Sequence, residues 1–199
     1  MTYDLFLALV AFAFVTSITP GPNNLMLMAS GANFGVRRTV PHMLGVALGF
    51  VAMAVLVGIG LVGVFEAYPA SYTVLKLVSV VYLVYLAAKI ARSAPPETDG
   101  SDGVGTPMTF LQAALFQWVN PKAWAMALTA VTVYAPSQSL GAIVLVGAVF
   151  GAVNLPSVGS WALLGQQMRR VLTNRSRLRA FNWTMAVLLV ASLAPVLWS

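Results

Sequence analysis

Four long stretches without a single charged side chain constrain this sequence more than any other feature. Residues 5–36, 39–65, 123–168 and 180–199 contain no Asp, Glu, Lys or Arg. Hydrophobic residues make up 59% of the 199 residues and charged residues only 8%, whereas a soluble domain carries about 25% charged residues. This pattern is typical of an integral membrane protein and excludes a soluble enzyme.

Turn-forming and charged residues divide the chain into six predicted membrane spans. Six helices of about 20 residues each need about 120 residues, which is close to the apolar content of the chain. One linker, residues 93–107, is rich in Pro, Gly and acidic residues and separates two halves. We therefore predict a single transmembrane domain, 1–199, made of repeat one (1–92), the linker and repeat two (108–199). The spans are placed at roughly 5–32, 41–64, 70–88, 108–133, 139–165 and 181–198.

The two halves carry similar landmarks in the same order. Pro20 and Pro121 are 101 residues apart, and the GxxxG pairs that begin at Gly45 and Gly147 are 102 residues apart. Because each half has an odd number of spans, the halves would insert in opposite orientations, as in secondary transporters built from inverted repeats. The glycines could instead reflect close helix packing alone. The predicted fold is all-α, with six transmembrane helices in two inverted three-helix repeats and with helices 1 and 4 discontinuous.

The positions of the basic residues predict the orientation in the membrane. Nine Lys and Arg follow spans one, three and five, whereas Lys76 lies on the other side. The positive-inside rule places these connections in the cytoplasm and both termini outside. The arginine-rich stretch 169–179 is explained by this topology and by contact with anionic lipid headgroups, so we predict no nucleic-acid partner.

Two prolines, a glycine and two asparagines interrupt the first span. Pro20 and Pro22 remove two backbone donors, and Thr19 followed by Pro20 fits an N-cap and first helical position. An unbroken helix over 5–36 would be about 48 Å long, against a hydrocarbon layer of about 30 Å. A proline kink is the alternative, but the combination favours two half-helices.

Span four contains a second break, with Asn120 as N-cap and Pro121 as first helical residue. Two half-helix N-termini near the bilayer midplane would attract an anion such as a carboxylate. Lys122 lies about 16–21 Å from either end of its span by helical rise, and no acidic residue lies deep in any span. We expect Lys122 to face a cavity and pair with the substrate. Contact with carbonyl groups, loss of its charge or a different span boundary are the alternatives.

The cargo predicted from this pattern is a neutral amino acid, because a cationic side chain would need an acidic partner. Asparagine and glutamine side chains could hydrogen-bond the cargo or could simply join helices. Asn154-Leu-Pro156 predicts a further break in span five. The predicted substrate-binding residues are Thr19, Pro20, Gly21, Pro22, Asn23, Asn24, Gln117, Asn120, Pro121, Lys122 and Asn154.

Other side chains bear on coupling and on rival functions. Lys122 and His42 are the candidates for proton coupling, although a lone histidine beside Pro41 at a span end more often contacts headgroups or a helix cap. With no Cys, one His and no deep carboxylate, we predict no catalytic residue, metal site or cofactor. A channel or metal-ion exporter of the same architecture is the alternative function, and a homodimer through GxxxG is the one protein partner considered.

Motifs in both halves resemble those of one transporter family. Thr19-Pro-Gly-Pro-Asn-Asn24, Gly35-Val-Arg-Arg38, Gly45-Val-Ala-Leu-Gly49 and Asn120-Pro-Lys122 are similar, in sequence and order, to the lysine exporter (LysE/RhtB) family of bacterial amino-acid efflux proteins. Within that family the chain is most similar to the homoserine/threonine and cysteine/O-acetylserine branch. The resemblance implies an exporter of the bacterial inner membrane that exchanges small amino acids for protons.

Overall fold

The computed structural model describes residues 1–61, 67–68, 70–93 and 106–194. All regular secondary structure in these ranges is helical, which confirms the all-α prediction. Much of the predicted linker and the ends of predicted spans two and six lie outside the described residues. The helices are α1 (Tyr3–Ile18), α2 (Pro22–Phe34), α3 (Val36–Leu56), α4 (Ala70–Ala91), α5 (Phe110–Phe116), α6 (Pro121–Tyr134), α7 (Leu140–Met168) and α8 (Arg175–Ala191), with a π-helical turn after α3 (Val57–Leu61) and a 3₁₀ turn after α5 (Gln117–Val119).

Length and apolar composition make several of these helices candidate membrane spans. Within the described residues, Val36–Leu61, Thr73–Ala91 and Leu140–Met168 are long and apolar enough to cross a bilayer. α1 and α2, bent by 54° at the break between them, together make a fourth candidate. α4 exposes apolar side chains, among them Leu77 and Val81 at 62% and 70% exposure, as expected for a surface in contact with lipid.

α7 lies at the centre of the arrangement and packs against α1, α2 and α3. Its contact with α2 is made through backbone atoms. A Cβ atom on Gly31 would collide with the backbone of Ala162, and one on Gly165 would collide with the backbone of Met28. The two helices therefore approach closely because glycines lie where they cross.

Both predicted GxxxG pairs pack inside the chain. A Cβ atom on Gly45 or Gly49 would collide with α5. A Cβ atom on Gly147 would lie 3.2 Å from a valine side chain of α3, and one on Gly151 would lie 3.0 Å from the side chain of Val51, also on α3. These glycines allow α3 to pack closely between α5 and α7. Their contacts lie within one chain, whereas the homodimer considered above would use GxxxG glycines between two chains.

Two groups of buried apolar residues join the helices. The first connects α1, α3, α6 and α7 around Phe50 and Phe150, whose ring centroids are 4.9 Å apart. The second connects α2, α3, α4, α5 and α8 around Leu27, Leu83 and Phe116. Each group contains residues from both halves of the sequence, so burial of apolar surface holds the two halves together.

Helices lie where the six spans are predicted, with three differences in detail. α3 begins at Val36, before the predicted start at 41, and only Gly35 separates it from α2. The φ of Gly35 is 80°, which glycine adopts without strain, so one helix can end and the next begin within a single residue. α8 begins at Arg175 rather than at 181. The predicted break at Asn154-Leu-Pro156 is wrong, because α7 continues through Pro156. Neighbouring helices, here α1, α2 and α3, make a proline tolerable inside a membrane helix.

Candidate functional site

The first helix break is built from two prolines. Thr19 and Gly21, which each precede a proline, have extended backbones with φ/ψ of −65°/144° and −175°/177°. α2 begins at Pro22, whose fixed φ suits the first helical position. The N-cap is therefore Gly21, and the prediction that Thr19 caps the helix and Pro20 begins it is wrong.

The second break follows the sequence prediction. After the 3₁₀ turn, Asn120 has φ/ψ of −95°/108°, and α6 begins at Pro121. The side-chain oxygen of Asn120 accepts a hydrogen bond from the backbone N–H of Lys122 at 3.2 Å, as an N-cap residue does. This confirms Asn120 as the N-cap and Pro121 as the first helical residue.

The two breaks meet at the side chain of Lys122. Its Nζ donates hydrogen bonds to the carbonyl and hydroxyl oxygens of Thr19, at 2.8 and 2.9 Å, and lies 3.4 Å from the carbonyl oxygen of Pro20. The last carbonyls of a helix lack intrahelical partners and carry partial negative charge. The end of α1 thus stabilises an ammonium group that has no deep carboxylate to pair with, which is the carbonyl contact considered above as one alternative.

Gly21 makes room for this contact. A Cβ atom on Gly21 would lie 2.7 Å from Cδ of Lys122 and 3.2 Å from its Nζ. Any other residue would shift the lysine side chain from this position. Glycine therefore serves here to leave space for the lysine, since an extended backbone is open to every residue type.

Amide side chains connect the same two breaks. Asn23 Nδ2 donates to Gln117 Oε1 at 2.8 Å, and Gln117 Nε2 donates back to Asn23 Oδ1 at 3.2 Å. Asn24 Nδ2 instead donates to the carbonyl oxygens of Ser17 and Thr19, both at 2.8 Å. Asn24 therefore stabilises the end of α1, whereas the Asn23–Gln117 pair joins the two halves of the chain.

Asn154 adds an unused hydrogen-bond acceptor. Its Nδ2 donates to the hydroxyl of Ser17 at 3.1 Å. Its Oδ1 is buried and has no hydrogen-bond partner among the described residues, although buried polar atoms are nearly always paired. Asn154 and Lys122 line the same cleft, so an acceptor and a cation face one space.

This cleft lies between the two breaks. Its polar lining comes from α1, the breaks and α7, and Phe50, Met126 and Val158 supply apolar surface. Lys122 is the basic residue of the lining, and no acidic residue of the described chain contributes to it. An ammonium group, a free amide oxygen and the start of α2 suit a small ligand that carries both a carboxylate and a hydrogen-bond donor.

The sequence analysis did not identify several residues of the cleft. Ser17 was recognisable as a polar residue inside an apolar run, directly before the break. Trp161 lies outside the lining of the cleft but donates from Nε1 to the carbonyl oxygen of Ile18 at 3.0 Å, at the last turn of α1. Phe50 gave no signal, because one apolar residue within an apolar helix is not distinguished by its pattern.

His42 lies outside this cleft. It is buried, with 1% of its surface exposed, because α3 begins at Val36 and includes Pro41. The expectation of a headgroup or cap contact for His42 is therefore wrong. It lines a separate pocket that shares no residue with the cleft.

Comparison with known proteins places the chain among transporters. The family model described as LysE type translocator matches residues 14–196. The chain is 31% identical, over 195 residues and 96% of each protein, to the cysteine/O-acetylserine efflux protein of Escherichia coli O1:K1 / APEC. Proteins of the same name from Escherichia coli strain K12 and Shigella sonnei strain Ss046 are 31% identical over 194 residues, again 96% of each. No solved structure matches the chain. The match extends over nearly the whole sequence, and the chain therefore belongs to the LysE type translocator family.

Proposed function

We propose that this protein is a secondary active exporter of small neutral amino acids or their derivatives, of the threonine, homoserine, cysteine or O-acetylserine type, and that it works by alternating access. The observation that carries the proposal is the meeting of two helix breaks at Lys122, in a cleft that also contains the unpaired oxygen of Asn154. The relatives named cysteine/O-acetylserine efflux proteins support cargo of this type.

The carboxylate of the cargo binds at Lys122 and the start of α2. A carboxylate is a stronger acceptor for an ammonium group than a carbonyl oxygen is. Gly21, the N-cap of α2, lies against Lys122 and provides no side-chain cap. The first N–H groups of α2 and the positive end of its dipole therefore act together with the ammonium on one negative group.

The ammonium of the cargo binds at Asn154 Oδ1. Ser17 holds the amide nitrogen of Asn154, which leaves the amide oxygen to accept from the cargo. A cationic cargo side chain would find no acidic partner in the described lining of the cleft. The cleft therefore favours a neutral amino acid over lysine or arginine.

The proposed topology has six spans in two inverted repeats, within the bacterial inner membrane and with both termini outside. In each half, an interrupted helix is followed by a long helix and then by another helix, which is the order that an inverted repeat requires. A reporter fused after Ser199 should lie outside the cytoplasm, so a reporter that works only there should be active. Cytoplasmic activity of this fusion would contradict the orientation.

Export is coupled to proton movement in the opposite direction, and Lys122 and His42 are the candidate carriers. Exchange of labelled for unlabelled cargo needs no net proton transfer, whereas uphill transport does. Replacing the carrier by glutamine is therefore expected to abolish gradient-driven uptake while exchange continues, at a raised half-saturating concentration in Lys122→Gln because Lys122 also binds the cargo. Gradient-driven uptake that persists in both Lys122→Gln and His42→Gln would contradict these assignments.

Uptake of labelled O-acetylserine into inverted membrane vesicles tests the function itself. We expect saturable uptake that a proton gradient, acidic inside, stimulates. Free neutral amino acids should compete, and their amides and esters should not, because they lack the negative charge that Lys122 and α2 bind. Equal competition by acid and amide would contradict the carboxylate site, and uptake that does not saturate would favour a channel.

A further inference from the structure

A second polar pocket lies at the other end of α2 from the central cleft. Its lining comes from the last turns of α2, the first turns of α3, the end of α4 and residues 106–108. It is here called the α2–α4 pocket, and its polar residues are Ser30, Asn33, His42, Lys89, Ser93 and Thr106. Along α2, Ser30 and Asn33 lie about 9–15 Å from Asn23 and Asn24 of the central cleft by helical rise.

His42 is the unusual residue of the α2–α4 pocket. Its ring is buried, and neither Nδ1 nor Nε2 has a hydrogen-bond partner among the described residues. A buried imidazole without partners has lost its bonds to water and gained none in return. Two unpaired ring nitrogens in the wall of a pocket therefore point to a ligand that binds there.

The neighbouring polar groups do not supply these partners, because most of them bind each other. Ser30 and Thr39 share a hydrogen bond of 2.8 Å between their hydroxyl oxygens. Asn33 and Asn182 exchange two hydrogen bonds, of 2.8 and 3.0 Å. The hydroxyl of Thr106 is exposed and can act as donor or acceptor. The ring nitrogens of His42 and the ammonium of Lys89, which makes no hydrogen bond within the described part of the chain, therefore determine which charge and which donor a ligand must carry.

The chemistry of these two groups defines the ligand. A neutral imidazole offers one donor and one acceptor, and a lysine ammonium offers three donors. The ligand must therefore present a negatively charged acceptor and, close to it, a donor. An amino-acid zwitterion carries its carboxylate and its ammonium on the same α-carbon. Met26, Leu86 and Met108 provide apolar surface for its side chain.

We infer that the α2–α4 pocket is a second binding site for a zwitterionic amino acid, with Lys89 binding the carboxylate and His42 binding the ammonium through its unprotonated nitrogen. The inference rests on the proposed function for the identity of the ligand. Arg37 and Arg38 lie on α3 and Arg92 directly follows α4, and the positive-inside rule places this end of α2 at the cytoplasmic side. The pocket would load cargo from the cytoplasm before it reaches the central cleft.

Equilibrium binding of labelled O-acetylserine to the purified full-length protein in lipid nanodiscs tests this inference. The variants are Lys89→Met and His42→Phe for the α2–α4 pocket and Lys122→Met for the central cleft. Lys76→Met is the matched control, because Lys76 lies on the same helix as Lys89 and lines neither site. Thermal unfolding of each variant shows whether it is folded, and Lys89→Gln replaces Lys89→Met if that variant is not.

At a ligand concentration close to the dissociation constant of the unaltered protein, we expect Lys89→Met, His42→Phe and Lys122→Met each to lower the ligand bound by roughly 40%, because a roughly tenfold loss of affinity leaves one of two sites nearly empty. The combined Lys89→Met and Lys122→Met variant should bind roughly a fifth as much as the unaltered protein, and Lys76→Met should bind as the unaltered protein does. With Lys122→Met, unlabelled serine should displace the remaining label and inorganic phosphate should not. Displacement by phosphate alone would show an anion site and overturn the assignment.

The results separate the two proposals. If Lys122→Met alone abolishes all binding, and Lys89→Met and His42→Phe change nothing, the second site is refuted and the proposed function stands. If Lys89→Met abolishes all binding and Lys122→Met changes nothing, the central site is refuted and the α2–α4 pocket stands. An unaltered protein that binds no O-acetylserine or serine would refute both.

Discussion

Replacing Lys122 by methionine removes the ammonium group and keeps a side chain of similar length. In the structure, Nζ of Lys122 contacts three oxygen atoms of Thr19 and Pro20 at 2.8–3.4 Å. Hydrogen bonds that involve a charged group contribute about 1.5–3 kcal/mol. A bound carboxylate, at the upper end of that range, would replace a carbonyl contact at the lower end, so the ammonium favours binding by about 1.5 kcal/mol net. That difference corresponds to roughly a tenfold change in affinity.

Uptake into inverted vesicles measures this effect as the half-saturating concentration of O-acetylserine. We expect a rise of roughly tenfold in Lys122→Met and a smaller rise in Lys122→Arg, which keeps the charge but needs more space beside Gly21. Lys76→Met serves as the control for removing a lysine from a helix that does not line the cleft. An unchanged half-saturating concentration in Lys122→Met, together with a lower unfolding temperature, would refute the reasoning, since Lys122 would then only tie the two breaks together.

Two further predictions concern stability, measured as reversible unfolding in detergent. Gly31→Ala and Gly165→Ala should each lower the free energy of unfolding by about 1–3 kcal/mol, because the added methyl meets backbone that cannot move aside. Gly141→Ala is the control, because nothing lies within 4 Å of a Cβ atom at Gly141. It should leave the free energy of unfolding unchanged or raise it by up to about 1 kcal/mol. Equal losses in all three variants would contradict the packing argument. The double variant Asn23→Leu with Gln117→Leu should lose about 1 kcal/mol less free energy of unfolding than the two single variants lose together, because each single change leaves one amide unpaired. Strictly additive losses would contradict a direct pair.

The positions of both helix breaks could be predicted because they depend on local chemistry. Proline lacks a backbone donor, and asparagine caps a helix with its own side chain, so Asn120 followed by Pro121 specifies a helix start without help from the rest of the fold. The meeting of the two breaks was also an expectation from the repeat, and the contact between Lys122 and Thr19 agrees with it. Local rules were sufficient here because they and the tertiary structure favour the same conformation.

The first break shows where local rules fail. Both Thr19-Pro20 and Gly21-Pro22 fit a cap followed by a first helical residue, and threonine is the better cap by its side chain. In the structure the Thr19 hydroxyl accepts from Lys122 instead, and the helix begins after Gly21. The Thr19 hydroxyl is thus engaged by Lys122, a residue about a hundred positions away, and no local sequence pattern contains this contact.

The position of His42 was mispredicted for a related reason. Pro41 was interpreted as the start of a span, but Gly35 ends α2 so abruptly that α3 begins at once and carries Pro41 inside it. The histidine is thereby moved from the expected membrane surface into the interior. The sequence could not predict that Asn154 Oδ1 lacks a hydrogen-bond partner, since this depends on which groups lie near it in the folded chain.

The backbone contact between α2 and α7 limits which parts of this protein can move independently during transport. With Gly31 against Ala162 and Gly165 against Met28, no layer of flexible side chains separates the two helices, and close-packed surfaces of this kind do not slide gradually. A segment of the first half and the central helix of the second must therefore turn as one rigid unit. The hinges of any rocking motion then belong outside that unit, at the extended residues that follow α1 and at Gly35.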